Sequence, residues 1–256
     1  MPSKKRNGPM SAKKSKGVPF SHRMENRSRL SVIISVQQDE KTIRQVIRQV
    51  ERLLPKEIVI IMHGSQDHSV DIVLQSTLYD RTCLIYPFPL GDDLWRSIGA
   101  KEVTGDVWLF LSGDWVIQAE DLVPFVRACY QGIDIALRKE EAPNVLPGTV
   151  TLAKSYINSL LDQKQLGLSS MCELPLAITK HAANSIGLDH LFTPPLAQVI
   201  AIEKGLRIET VQHFLKEANQ GRQKGRDSQS RMRQLTSLGD HMEAVAYWNE
   251  RDKTGQ

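Results

Sequence analysis

Leu30-Ser31-Val32-Ile33-Ile34-Ser35-Val36-Gln37-Gln38-Asp39 is an apolar run that stops at polar residues, and the residues immediately after it decide the fold. The run suits a strand and is too short for a buried helix. Beyond Asp39, a residue type that opens helices by accepting a first-turn N–H, the apolar residues Ile43, Val46, Ile47, Val50 and Leu54 keep the i, i+3, i+4, i+7 spacing of one helical face. Pro55 ends that helix, because it lacks an N–H and clashes with the preceding turn. Glu57 to Met62 reads as a second strand, continuously apolar after Glu57, as expected where helices cover both faces of a sheet. Residues 30–62 thus predict a β-α-β unit.

The alternation continues outward. A helix is expected from Asp67 to about Thr77, a strand at Thr82–Tyr86, a helix at Asp92–Val103, a strand at Asp106–Leu111 and a helix at Glu120–Tyr130. A strand at Ile133–Arg138 comes next, then a loop marked by Pro143, Pro147 and Gly148, and a helix at Val150–Leu161. Leu174–Thr179 and Leu206–Val211 read as strands bracketing a helical stretch at Pro195–Gly205, with an order in the sheet that the pattern leaves open. Strands alternating with helices predict an α/β fold with a mostly parallel sheet flanked by helices. Its expected divisions are a basic tail at 1–29, a main domain at 30–215, a basic linker at 216–233 and a C-terminal segment at 234–256, helix-like from Gln234 to Arg251.

Composition bounds the function. The 256 residues are 41% hydrophobic and 24% charged, near the average for a globular domain. No apolar stretch approaches the ~18–20 residues of a membrane-spanning helix. Residues 7–29 stay polar where a secretory signal would turn apolar, so a cytoplasmic location is expected. Cys83, Cys129 and Cys172 are isolated, which suggests neither a disulfide framework nor a zinc site. The net charge of +4 conceals basic ends: Lys4, Lys5, Arg6, Lys13, Lys14, Lys16, Arg23, Arg27 and Arg29 face Glu25 alone in the tail. That tail has too few apolar residues to offset its ordering entropy, and disorder is expected for it. Both basic segments suit anionic surfaces.

In open α/β sheets ligands bind beyond the carboxyl ends of the strands, which implicates the loops at 35–39, 63–67 and 112–114. At these loops the sequence resembles family 2 glycosyltransferases. Ser31-Val32-Ile33-Ile34-Ser35-Val36-Gln37-Gln38-Asp39-Glu40 is similar to S-V-I-I-P-x-Y-N-E-E, and Glu57-Ile58-Val59-Ile60-Ile61-Met62-His63-Gly64-Ser65-Gln66-Asp67 to E-I-I-V-V-D-D-G-S-T-D. Arg96-Ser97-Ile98-Gly99-Ala100 resembles R-N-x-G-A, and Thr104-Gly105-Asp106-Val107-Trp108-Leu109-Phe110-Leu111-Ser112-Gly113-Asp114 resembles T-G-D-x-x-x-F-L-D-x-D. The resemblance covers about residues 30–215 and implies a GT-A fold. There are departures: Ser35 replaces the Pro, Gln37 the uracil-stacking Tyr, Met62 and His63 the two Asp, and Ser112 the first Asp of D-x-D. Pro194-Pro195 stands where the family has the acidic pair that supplies the base. Pro194-Pro195-Leu196-Ala197-Gln198 and Gly239-Asp240-His241-Met242-Glu243-Ala244 resemble a subgroup of the family that shares these changes.

The resemblance implies a nucleotide-sugar donor bound by Ser35, Gln37, Asp39, His63, Gly64, Arg96, Ser112 and Asp114, and inverting transfer to the hydroxyl of an acceptor that it does not name. Asp114 would hold a divalent cation, Mg²⁺ or Mn²⁺, against the diphosphate, since one or two carboxylates suffice when phosphate oxygens and water complete the shell. Ser112 would add a hydroxyl. His63 would hydrogen-bond a base edge through either ring nitrogen, and Arg96 would reach the diphosphate. Each has a plainer reading: a helix-capping Asp, a surface-loop His, a solvated Arg. Glu173, Asp189 and His190 are the later candidates for a base. Two rival functions stand beside transfer: a catalytically silent relative that binds a nucleotide-sugar or a partner, and an anionic-surface or nucleic-acid binder acting through the basic segments.

Overall fold

The structure is a computed structural model that describes residues 29–76, 80–141, 146–211 and 228–254. The expectations for the tail at 1–28 and for most of the basic linker lie outside the described residues.

The first half repeats the sequence pattern closely. It comprises β1 (Leu30–Val36), α1 (Ile43–Leu53), β2 (Glu57–His63), α2 (Ser69–Leu74), β3 (Arg81–Tyr86), α3 (Leu94–Glu102), β4 (Val107–Ser112) and α4 (Ala119–Tyr130). α1 buries Ile43, Val46, Ile47, Val50 and Leu53, and Leu54 stops it in a left-handed conformation at φ 52° ahead of Pro55. The helix begins at Ile43 and not at Asp39, whose carbonyl accepts the N–H groups of Thr42 and Ile43 in the turn that leads in. α2 is shorter than its pattern implied.

The second half comprises β5 (Ile135–Arg138), α5 (Thr149–Leu160), β6 (Leu176–Thr179), α6 (Lys180–Ile186), α7 (Pro194–Glu203), β7 (Ile208–Val211) and α8 (Ser228–Thr254). α6 answers to no expected element. α8 starts at Ser228, so residues 228–233 are helix where a linker was expected.

The strands form one sheet in the order β3-β2-β1-β4-β6-β5-β7. β1, β2, β3 and β4 pair in parallel, β6 runs antiparallel to both β4 and β5, and β7 is parallel to β5. Side chains alternate across the strands. Ile33, Val59, Ile61 and Phe110 therefore join Trp95 and Ile200 on one face, and Val32, Ile34, Ile60 and Leu109 join Val46, Val50 and Phe125 on the other. α8 packs Ala244 into the first of these layers. Its Arg233 lies 3.4 Å from Asp92, and its Tyr247 and Arg251 bond Glu203 at the end of α7. No helix among the described residues is long and apolar enough to cross a membrane.

Candidate functional site

Register brings the three implicated loops together. Ser35 pairs with Ser112, Val36 with Met62 and His63 with Tyr86, so the carboxyl ends of four parallel strands form one row. Gly113 N–H donates to Ser35 O at 2.8 Å, and Thr42 Oγ1 donates to Gly113 O at 2.7 Å. A Cβ at Gly113 would sit 2.7 Å from Asp39 Oδ2 and 3.2 Å from Ser35 O. Only glycine lets the Asp39 carboxylate lie against the loop that carries Asp114.

Asp39 is 8% exposed. Its carboxylate accepts the Gln37 N–H at 2.9 Å, and its own N–H donates to Ser69 Oγ at 2.8 Å. Burial pushes its pKa up to about 6; the Gln37 N–H pulls it down, and the neighbouring Asp114 and Asp67 add to the rise. Asp67 is held below its ordinary range. Burial opposes ionisation there, but bonds from Ser69 and from the Glu40 N–H outweigh it. Among the described residues neither Asp39 nor Asp114 has a salt-bridge partner.

His63 corrects its sequence reading. It is 1% exposed, not a surface residue. Nε2 lies 3.0 Å from Ser35 Oγ, while Nδ1 takes the Leu90 N–H at 3.2 Å and the Gln37 side-chain amide at 3.2 Å. Neither ring nitrogen is left for a base edge. Burial lowers its pKa, against a smaller upward pull from Asp92. Gly64 comes next, in the left-handed region at φ 62°, where a Cβ would meet Pro89 Cγ at 2.8 Å.

Arg96 is also corrected. Both the phosphate ligand and the solvated residue expected of it need a free guanidinium, yet it is 4% exposed. Nε donates to Asp93 at 2.7 Å, and the two terminal nitrogens donate to the carbonyls of Met171 at 2.9 Å and Cys172 at 3.0 Å. It holds the turn ahead of β6 to the start of α3. Ser35, Gln37, Asp39, His63, Gly64, Ser112 and Asp114 thus gather at one edge, with Arg96 behind them as a tie.

The base candidates separate. Asp189 is bonded at 2.6 Å to Lys101 in the last turn of α3. A helix connecting parallel strands runs back against them, so that turn and the adjoining His190 lie toward the opposite edge. Glu173 lies on the ligand edge, where β5 ends at Arg138. It bonds Arg138 at 2.7 Å and also Lys154, and both cations bond Glu140 at 3.1 Å. Arg138 lies 5.2 Å from the ring centroid of Trp115, the residue after Asp114. Arg138, Glu140, Lys154 and Trp115 escaped the sequence reading because their partners come from separate segments with no fixed spacing. Leu90 escaped because it acts through its backbone.

Among the described residues no three His, Cys, Asp or Glu side chains are close enough to hold a metal ion. Asp114 follows Ser112 and Gly113 in the loop after β4 and is a single carboxylate there, so a cation held by it would need oxygens from elsewhere to complete its shell.

The family model described as Glycosyl transferase family 2 matches residues 31–185. No curated protein matches the sequence. Among solved structures, glucosyl-3-phosphoglycerate synthase from Mycobacterium tuberculosis, in complex with Mn²⁺, UDP and phosphoglyceric acid, superposes with a TM-score of 0.62 at 15% identity, covering 93% of this chain and 84% of that one. Its complex with Mn²⁺, UDP and glucosyl-3-phosphoglycerate gives 0.62 at 16% identity over 94% and 86%. A mycobacterial protein gives 0.57 at 18% identity over 72% and 65%. The fold is that of the GT-A glycosyltransferases.

Proposed function

The chain belongs to glycosyl transferase family 2, and on that premise we propose that it binds a nucleoside-diphosphate sugar along the carboxyl ends of β1, β2 and β4 and transfers the sugar to an acceptor hydroxyl. The observation that carries this reading is the convergence of Ser35, Asp39 and Asp114 around the bare Cα of Gly113. The nucleotide base lies on the Gln37–Asp39 side and the diphosphate at Asp114, whose carboxylate would hold a divalent cation against it. Such a cation neutralises charge developing on the leaving diphosphate. In inverting transfer the acceptor oxygen forms a bond to the anomeric carbon as the bond to the diphosphate breaks, and its proton passes to a base. Glu173 is the candidate base on the correct edge. Arg138 and Lys154 are balanced there by Glu140 and Glu173, which favours an uncharged hydroxyl acceptor over the phosphoglyceric acid held by the structural relative.

Calorimetric titration with UDP, in Mn²⁺ and in chelator, tests the donor site. Mn²⁺-dependent binding is expected, and Asp114→Ala should weaken it about tenfold or more, the scale of one lost charged contact. Unchanged affinity in that variant sinks the assignment of Asp114. The second reading, a silent nucleotide-sugar binder, draws on the buried Pro194-Pro195 in place of an acidic pair. Release of UDP from UDP-sugars by the purified protein separates the two.

A further inference from the structure

His63 sits at the junction of three segments. A backbone N–H can only donate, so the Leu90 N–H at 3.2 Å requires the lone pair on Nδ1, and the Gln37 amide at 3.2 Å uses the same acceptor. The proton of the neutral ring is then on Nε2, which donates to Ser35 Oγ at 3.0 Å. Both polar atoms of the ring are spent on the protein: on the end of β1 through Ser35 and Gln37, and on the β3–α3 loop through Leu90. That loop continues to Asp93, which holds Arg96 Nε at 2.7 Å, and Arg96 passes the connection on to the carbonyls of Met171 and Cys172. One succession of bonds therefore crosses the ligand edge from Ser35 to the turn before β6.

We propose that His63 is a positioning residue that, as a neutral imidazole protonated on Nε2, locks the β3–α3 loop onto Ser35 and Gln37 and so holds the nucleotide-binding loops in place without touching the nucleotide. This rests on the reading of the edge as the nucleotide site. Few side chains serve. A lysine offers donors alone and cannot take the Leu90 N–H, and a carboxylate, though it could accept from both Leu90 and the Ser35 hydroxyl, would bring a negative charge into a buried position. Imidazole presents an acceptor and a donor on opposite sides of one rigid ring.

Two variants and a spectrum test it. In His63→Asn the side-chain carbonyl takes the place of Nδ1 as acceptor for Leu90 but stops short of Ser35. In His63→Leu the volume stays and every polar atom goes. UDP affinity in Mn²⁺ is measured by calorimetry at a temperature where circular dichroism shows each protein folded, with hydrogen exchange at the Leu90 amide read by NMR. His63→Asn should keep that amide protected and bind UDP within about threefold of wild type. His63→Leu should speed exchange and weaken UDP about tenfold or more, the scale of a buried donor left without its acceptor. The ¹⁵N spectrum of the wild-type ring should report the Nε2–H tautomer. An Nδ1–H tautomer, equal losses in the two variants, or wild-type affinity in His63→Leu would each overturn the proposal. If wild-type protein binds no nucleotide at all, the nucleotide reading falls, while the tautomer and the Leu90 exchange still decide whether the lock exists.

Discussion

The two ends of the ligand edge are held together by opposite means. Around β1, β2 and β4 the ties are neutral: Ser35, Gln37 and the Leu90 backbone meet on His63, and Gly113 hangs from Ser35 by its N–H. Asp39 and Asp114 are left without cationic partners among the described residues. At the end of β5, Arg138, Lys154, Glu140 and Glu173 cross-pair, and their charges cancel. In the first region burial and the neighbouring Asp114 raise the pKa of Asp39, and under the proposed function an incoming cation would offset that charge. The second spends its charges on itself and holds the loops in place. Unpaired charge in the first region suits a charged ligand, and in the second the pairing fixes Glu173, the candidate base, against Arg138 and Lys154.

The largest test of this contrast is Lys154→Met. Lys154 is 8% exposed, and its loss removes the cation that bonds both Glu140 and Glu173. Removing one partner from a buried network costs about 3–5 kcal/mol, and denaturant unfolding should show a loss on that scale. A loss under about 1 kcal/mol would mean that the cluster is solvated and the contrast mistaken.

Asp39→Asn comes next and has the opposite sign. Asp39 moves from the ordinary 3.8 in the unfolded chain to about 6 in the folded protein. Between these values the folded state binds more protons, so stability falls as pH rises through that window and is flat above it. Asn keeps an acceptor for the Gln37 N–H and removes the charge. The variant should be more stable than wild type above about pH 6, by at most about 3 kcal/mol, and the gain should vanish below the ordinary pKa. Asp240, also pushed up to about 6 by burial and by Asp93, Glu243 and Asp92, contributes equally in both proteins and cancels. Thermal melts across pH read the difference, and a variant less stable at neutral pH would break the comparison.

The smallest expected effect is that of Asp114→Asn on stability. Asp114 is half-buried and has no salt bridge among the described residues, so unfolding should change by no more than about 0.5 kcal/mol. A larger loss would place it among the structural charges.

Much of the ligand edge was legible in the sequence for a physical reason. β1, β2 and β4 are buried on both faces, so their apolar runs are continuous and end where the chain reaches solvent, at Gln37, at Gly64 and at Ser112. The same principle failed further on. β6 and β7 are four residues each, and a short apolar run carries no record of its direction, so the antiparallel turn of β6 could not be read from it. The burial of Arg96 was not legible because two of its three partners, the carbonyls of Met171 and Cys172, lie 75 and 76 residues away. His63 was misread because nothing in its neighbours in sequence announces Leu90 as a donor. Pattern reports which face is buried, and long-range partners decide what a buried polar group does there.

The strand order also sorts the molecule by chain entropy. Ser31 Oγ meets Glu57 across 26 residues to join β1 with β2, whereas the Arg207 N–H meets Asp134 across 73 residues where β5 joins β7. Closure entropy grows with the logarithm of the loop, so the longer connection costs only about 1 kcal/mol more. That is small for stability, and local pairing predicts only that β1 and β2 meet before β5 and β7 do. Within the row of strand ends, Ser35 and His63 lie on strands joined by a short connection, whereas Ser112 reaches Ser35 across a span longer than the one between β5 and β7.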